Sequence, residues 1–292
     1  MKFGVSSYSF QRLYNENFTQ LDAAKEAKQM GFDFFELAEL IVPEGKDKLE
    51  YAKEFAKACK EIGIALGNYT IGADFLNSVT GSIDGEIERL QSEIDVAAAL
   101  GCTGVRHDAT AGFRPTSSEQ GKSFPNALPY LIQGYRAVTE YAAEFGIRTM
   151  IENHGTFCQE SQRVEQIVSG VNHPNFGALI DIGNFLCADE NPAYAVGRMA
   201  CMAFHVHAKD FIVKSGNEPD PGECFFQSRG GNYLRGTIIG HGAVPVVQCL
   251  KVLKNNGYDG DIAIEYEGNE DVKEGIRIGL ANLKRFCAAL DA

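Results

Sequence analysis

Apolar and polar positions change their period repeatedly along the chain. Short β-type runs fall at Lys2–Ser7, Phe32–Leu37, Ile64–Tyr69, Gly104–His107, Arg148–Glu152, Gly177–Asp181, Cys201–His207 and Asp261–Glu265. Most of these starts lie about 25–45 residues apart, the length of one strand–helix unit with its loops. Between them apolar residues recur at helical spacing. Leu49, Ala52, Phe55, Ala56, Cys59 and Ile62 form one stripe, Ile83, Ile87, Leu90, Ile94 and Ala97 another, and Leu128, Leu131, Tyr135, Val138, Ala142 and Phe145 a third. Thr19 and Asp22 resemble a capping pair opening the first helix, and Pro192 suits a first helical turn. Gly31, Gly63, Gly101, Gly146 and Gly257 each stand between a helix and a strand, where a left-handed helix cap is expected.

Eight such units predict parallel strands all entering from one side. The expected fold is α/β: a (β/α)8 TIM barrel forming one domain over 1–292, since barrels of this kind commonly run to about 250 residues. A doubly wound open sheet would share the local pattern. A nucleotide-binding sheet of that kind carries a Gly-rich turn after its first strand, and this chain has Ser6-Ser7-Tyr8-Ser9-Phe10-Gln11-Arg12-Leu13 there. One long irregular stretch, about 211–242, follows strand seven and is rich in Gly, Pro and Asn. A loop of that length is expected to be a lid or an interface element.

Composition and charge then narrow the classes. The chain has 292 residues, 45% hydrophobic and 23% charged, as in a soluble globular protein. No apolar run approaches the roughly 18–20 residues of a membrane span, and the opening residues do not read as a secretory signal, so a cytoplasmic protein is expected. A net charge of −12 disfavours a nucleic-acid partner. The eight cysteines are scattered without CxxC spacing, which argues against a disulfide framework or a zinc–thiolate cluster.

In a barrel the chemistry is expected at the C-terminal ends of the strands. Strand five ends in Ile151-Glu152-Asn153-His154, strand six in Asp181-Ile182-Gly183-Asn184, strand seven in His205-Val206-His207-Ala208-Lys209-Asp210, and strand eight in Ile264-Glu265-Tyr266-Glu267. Four consecutive strands thus offer Glu, Asp, His and Glu at matching depth. Converging buried carboxylates repel one another unless a cation or protons intervene. Three carboxylates and an imidazole make a hard, oxygen-rich shell suited to Mn²⁺, Mg²⁺ or Co²⁺. Taken singly, each residue also has a bland reading: a solvated loop glutamate, a hydrogen-bonded core histidine, or Asp181 as a helix N-cap.

At these residues the chain resembles the xylose isomerase-like sugar phosphate isomerase/epimerase superfamily, which includes D-tagatose 3-epimerase and inosose dehydratase. The matching pieces are Ile151-Glu152-Asn153-His154, Asp181-Ile182-Gly183-Asn184, Val206-His207-Ala208-Lys209-Asp210, Gly240-His241-Gly242, and Gly257-Tyr258-Asp259-Gly260 leading to Ile264-Glu265. The resemblance implies that Glu152, Asp181, His207 and Glu265 bind one divalent metal, Mn²⁺ first, with Mg²⁺, Co²⁺ or Zn²⁺ as alternatives. It implies that Glu152 and Glu265 are also catalytic, one removing the proton alpha to a ketone and the other returning a proton through a metal-stabilised enediolate. That division is chemically sound, because such a C–H is too weak an acid unless the developing oxyanion is stabilised.

His205, His107, His154, Asn184 and Lys209 are the candidate substrate contacts. His207 holds the histidine position of the family's pattern, which leaves His205 behind it or on the substrate. Asn184 stands where related epimerases place a substrate-binding histidine. Lys209 is a candidate for a substrate oxygen or a structural ion pair, and Tyr8 and Glu36 end strands that border the pocket. No arginine closely follows the strand-seven histidine; the nearest are Arg229 and Arg235. That departs from the ketose 3-epimerase pattern.

The implied activity is therefore metal-dependent isomerisation or epimerisation of a small sugar or polyol-derived ketone, with a homo-oligomer expected from family habit. A lyase on the same scaffold, dehydrating an inosose or eliminating from a 3-oxo-glycoside, begins with the same proton removal. A metal-dependent repair nuclease needs further histidines and a positive DNA-binding face. A non-catalytic barrel predicts no metal.

Overall fold

The computed structural model describes residues 1–114 and 121–290; the remaining positions of the expected 1–292 domain lie outside it. Eight strands close a parallel barrel. They are β1 (Phe3–Ser6), β2 (Phe34–Ala38), β3 (Ala65–Ile71), β4 (Gly104–His107), β5 (Arg148–Glu152), β6 (Phe176–Asp181), β7 (Ala203–Ala208) and β11 (Ile262–Ile264). The helices around them are α1 (Gln20–Met30), α2 (Lys48–Ile62), α3 (Ile83–Leu100), α4 (Phe124–Glu144), α5 (Ser161–Val171), α6 (Pro192–Met199), α7 (Val246–Asn255) and α8 (Val272–Ala288). The order round the barrel is β1-β11-β7-β6-β5-β4-β3-β2, so the last strand closes against the first. Phe3, Gly4 and Val5 stand opposite Ile262, Ala263 and Ile264.

Local chemistry explains the junctions. Thr19 and Asp22 form a reciprocal capping box on α1, and Gly31, Gly63 and Gly101 end α1, α2 and α3 in the left-handed conformation. Pro192 occupies the first turn of α6 behind an Asn191 cap.

Alternation along the strands divides the molecule into two interiors. Val5, Phe35, Leu37, Val105, Ile151, Ile180, Val206 and Ile264 point outward and pack with Ala24, Phe55, Leu90, Leu131, Val138, Ile167 and Val196 of the helices. Burying a side chain of this size contributes about 1.5–3 kcal/mol, and that outer layer carries the fold. The residues between them point into the barrel, where polar groups take the upper half.

The stretch 211–242, expected to be irregular, is largely built. It holds an antiparallel sheet of β8 (Asp210–Lys214), β9 (Phe226–Gln227) and β10 (Tyr233–Thr237), in the order β8-β10-β9. Phe211 and Val213 alternate onto one face, with Leu234 directly opposite Val213, a period-two pattern that Gly and Pro counts obscure. Asp210 closes its neck: the side-chain oxygens accept N–H bonds from Phe211, Gly240, Gly242 and Val244 at 2.8–3.0 Å.

The far side of this sheet is tied to the loop after β6. Asp189 accepts from Ser228 Oγ at 2.6 Å, from Asn232 Nδ2 at 2.8 Å and from the Gly230 N–H. Arg229 reaches Thr156 O at 2.6 Å and Glu160 at 2.9 Å. The sheet therefore arches over the C-terminal mouth. Among the described residues no helix is long and apolar enough to cross a membrane, and the cysteines form no disulfide.

Candidate metal centre and mouth cavity

Four neighbouring strands bring Glu152, Asp181, His207 and Glu265 together at the C-terminal end. One ligand atom of each lies within 4.8 Å of the others. His207 Nδ1 is 3.9 Å from Glu152 Oε1 and 3.7 Å from Glu265 Oε1.

Each carboxylate is held by neighbouring donors. Glu152 Oε2 lies 2.6 Å from Arg106 Nε, while Oε1 accepts from Asn184 Nδ2 at 3.0 Å. Glu265 Oε2 lies 2.6 Å from Lys209 Nζ. Asp181 Oδ1 caps the following turn through the N–H groups of Gly183 (2.8 Å) and Asn184 (3.0 Å). That turn runs so close to strand seven that a Cβ on Gly183 would sit 2.7 Å from Lys209 O. Asn153 pins the strand beneath it, exchanging two 2.8 Å hydrogen bonds with the Asp181 backbone.

The donor set fits a divalent cation. His207 Nδ1 and Asp181 Oδ2 are buried without a hydrogen-bond partner, and both belong to the converging set. Such orphaned atoms are rare in folded proteins and call for an explanation, an ion among them. Charge points the same way. Among the described residues, the buried carboxylates of Glu36, Glu152, Asp181 and Glu265 pair with two obligate cations, Arg106 and Lys209.

The neighbouring charges pull the members of the set in different directions. Burial pushes Asp181 up, with Glu152 and Glu265 adding to it against Lys209. Burial opposes a charge on His207, but Glu36 and Glu265 reverse that and raise it to about 10. Glu265 is held below the usual carboxylate range: burial raises it, and Lys209 and His207 outweigh the burial.

Lys209 is buried among acceptors. Its Nζ lies 2.6 Å from Glu265, 2.9 Å from Glu267, 3.2 Å from Asn184 Oδ1 and 3.3 Å from Asp181. Above it a cavity of about 360 Å³ opens beneath the arching sheet, bordered by Tyr8, His154, Asn184, Lys209, Phe226, Arg229 and Glu267. His154 stands half-exposed at its edge, with Nδ1 2.9 Å from Asp108 Oδ1. Burial alone would lower the His154 imidazole, and the Asp108 hydrogen bond overrides it and raises it.

Two of the expected substrate contacts lie elsewhere. His107 points outward from β4, stacked on Tyr135 at 4.5 Å, with Nδ1 3.0 Å from Asp108 O. Arg106 takes the inward position instead, because alternation in β4 gives the barrel interior to one residue or the other. His205 shares the inward face with His207 but lies deeper. It meets Glu36 at 2.9 Å and borders a second cavity, at the N-terminal end of the barrel, with Asn68, Arg148 and Phe204.

Sequence reasoning passed over Arg106, Asp108, Asn153 and Glu267. The usable signal for Arg106 was a charged residue inside a β-type run. Arg229, remote from strand seven in sequence, returns to the mouth on the arching sheet.

Residues 24–286 match the xylose isomerase-like TIM barrel family. The chain belongs to that family. An inosose dehydratase from Bacillus licheniformis is 26% identical over 154 residues, 51% of this chain and 50% of that protein. The chain thus spans about half the length of the curated relatives it matches. Among solved structures, the 3-keto-D-glucoside 4-epimerase YcjR from E. coli superposes with a TM-score of 0.70 at 18% identity, covering 98% of this chain and 99% of that one. The IOLI protein with a bound zinc atom gives 0.71 at 18%, covering 99% of both. At these identities the structural likenesses show the fold.

Proposed function

We propose that the protein is a divalent-metal-dependent isomerase or epimerase acting on a sugar or polyol-derived ketone by removing the proton alpha to the carbonyl. The observation that carries this reading is the convergence of His207 Nδ1 and Asp181 Oδ2, both buried without a hydrogen bond, with carboxylate oxygens of Glu152 and Glu265. Glu152, Asp181, His207 and Glu265 would hold the ion; the mostly oxygen donor set favours Mn²⁺. When bound, the ion supplies positive charge to the oxygen on which negative charge develops.

The chain's own groups do the rest. One of Glu152 and Glu265 would take the C–H proton on a carboxylate oxygen, and the other, entering the step as the carboxylic acid, would return a proton from the other side. Arg106 and Lys209, each 2.6 Å from its glutamate, fix the two carboxylates in place. Lys209 Nζ has three protons for four acceptors. A substrate oxygen would therefore bind Lys209 by displacing one of its longer contacts, with Asn184 at 3.2 Å or Asp181 at 3.3 Å, while Glu265 stays held. His154, with Nδ1 on Asp108, borders the cavity and keeps Nε2 for a substrate oxygen. Tyr8 and Phe226 supply apolar walls for the C–H faces of a sugar, and the arching sheet excludes water.

A lyase outcome has one observation in its favour: the Asp108–His154 pair stands at the mouth, placed to donate a proton to a leaving hydroxyl or alkoxide. Both readings share the first step. The Mn²⁺-loaded protein incubated with ketoses, inososes and 3-oxo-glycosides in deuterated water should exchange one substrate C–H. Glu152→Gln and Glu265→Gln should abolish that exchange while retaining the fold. Undiminished exchange in both variants would overturn the assignment, and loss of water or aglycone in the product mass spectrum would select the lyase.

A further inference from the structure

Glu36 belongs to β2, yet both oxygens of its fully buried carboxylate end on imidazoles of β7. Oε1 lies 3.1 Å from His207 Nε2 and Oε2 lies 2.9 Å from His205 Nε2. The intervening strands, β1 and β11, leave the path open because they place only Gly4, Ser6 and Ala263 toward it. Even a Cβ on Gly4 would come within 2.1 Å of the Phe34 ring, which packs edge-on to His205 at 6.0 Å between centroids. The carboxylate and both imidazoles are thus held in one packed column beneath the four-residue set.

An ionised carboxylate only accepts hydrogen bonds, so the ring nitrogens facing Glu36 must carry hydrogen. With a divalent ion in place of the second ring proton, Nδ1 of His207 would be the nitrogen that offers its lone pair. Nδ1 is the buried atom without a hydrogen bond that faces Glu152 and Glu265. A carboxylate this near the set would itself be a potential ligand. His205 takes its second oxygen and keeps it away.

We propose that Glu36, anchored by His205, is a positioning residue that fixes His207 in the Nε2–H tautomer and aims Nδ1 at the divalent ion. The proposal rests on the metal-centre reading above. It assigns His205 a place behind the centre, away from the substrate: neither His205 nor Glu36 borders the mouth cavity. Outer partners that hold a metal-bound histidine in this way typically change metal affinity by about 10–100-fold when removed.

Co²⁺ titration of the metal-stripped protein, followed by its absorption bands, tests this without any substrate. Wild type should bind Co²⁺ and Asp181→Asn should not. Glu36→Met should bind about 10–100-fold more weakly, Glu36→Gln should recover part of that loss through its one accepting oxygen, and His205→Gln should show a smaller loss in the same direction. In the Co²⁺-loaded wild type, the shifted His207 N–H proton resonance should persist in deuterated water, because the hydrogen is buried against Glu36. This measurement needs no variant and decides the matter if Glu36→Met does not fold. Wild type that binds no Co²⁺ removes the metal centre and this proposal with it. Tight binding by wild type and Glu36→Met alike, or immediate loss of the His207 N–H signal, overturns the proposal and leaves the metal centre standing.

Discussion

Replacing His107 with Phe should make the protein less sensitive to acid. The His107 ring is fully buried between Tyr135, stacked at 4.5 Å, and Phe75, edge-on at 5.7 Å. Nδ1 meets Asp108 O at 3.0 Å, whereas buried Nε2 has no partner. Burial lowers its pKa from 6.5 to about 4, outweighing the opposite pull of Asp108. Because the folded pKa is depressed, the unfolded chain binds the proton first, and stability falls as pH drops through 6.5 toward 4. At about 1.36 kcal/mol per pH unit, the loss from this one ring reaches about 2 kcal/mol by about pH 5 and levels off near about 3 kcal/mol.

His107→Phe cannot take up a proton and keeps the aromatic packing. It gives up one hydrogen bond worth about 1 kcal/mol, at every pH alike. Denaturant unfolding of wild type and His107→Phe at about pH 7.5 and about pH 5 should therefore show the gap between them shifting by about 2 kcal/mol in favour of the variant. His107→Asn, which keeps a donor near Asp108 O and also cannot titrate, should shift the same way. Parallel losses in wild type and both variants would refute the reasoning.

Metal loading should appear in thermal stability. Mn²⁺ at about a hundred times its dissociation constant adds about 2.7 kcal/mol to the folded state, so the melting temperature should rise by about 5 °C. EDTA should reverse the rise and Asp181→Asn should abolish it; a melting temperature indifferent to Mn²⁺ contradicts the ion site. Asp189→Ala removes three of the hydrogen bonds that tie the arching sheet to the loop after β6, leaving the Arg229 N–H on Cys187 O. Amide exchange around 226–232 should accelerate by about tenfold or more, the equivalent of about 1.4 kcal/mol or more, with the melting temperature nearly unchanged. Exchange as slow as wild type would mean that the sheet is held by its own pairing instead.

Period-two runs, helical stripes and capping residues made the barrel readable from the chain, because each reports a local preference that the fold keeps. The strand-end quartet was readable too, since parallel strands of similar length deliver their last residues to one rim. Parity within a strand was not. Gly104-Val105-Arg106-His107 offers two consecutive polar residues, and only the barrel's closure decides that Arg106 faces in and His107 faces Tyr135. Depth was equally hidden: His205 and His207 share a face, yet two residues of rise, about 6.6 Å, separate a position under the centre from one within it. Glu36 looked like a rim residue, whereas its partners come from a strand about 170 residues away, a pairing no local pattern carries.

The neck of the arching sheet has a consequence for how such a barrel changes its substrates. Asp210 gathers N–H groups from 211 and from 240–244, so the chain leaves and re-enters the barrel at almost one point. The sheet between those positions pairs with no barrel strand, so an exchange there should leave the barrel's register in place with the loss of its side-chain ties to Asp189, Thr156, Glu160 and Glu270. New walls over the mouth can then be tried against an unaltered set of proton-handling groups. A chimera that transplants 212–238 from a relative onto this neck is the natural way to move specificity without disturbing the reaction's first step.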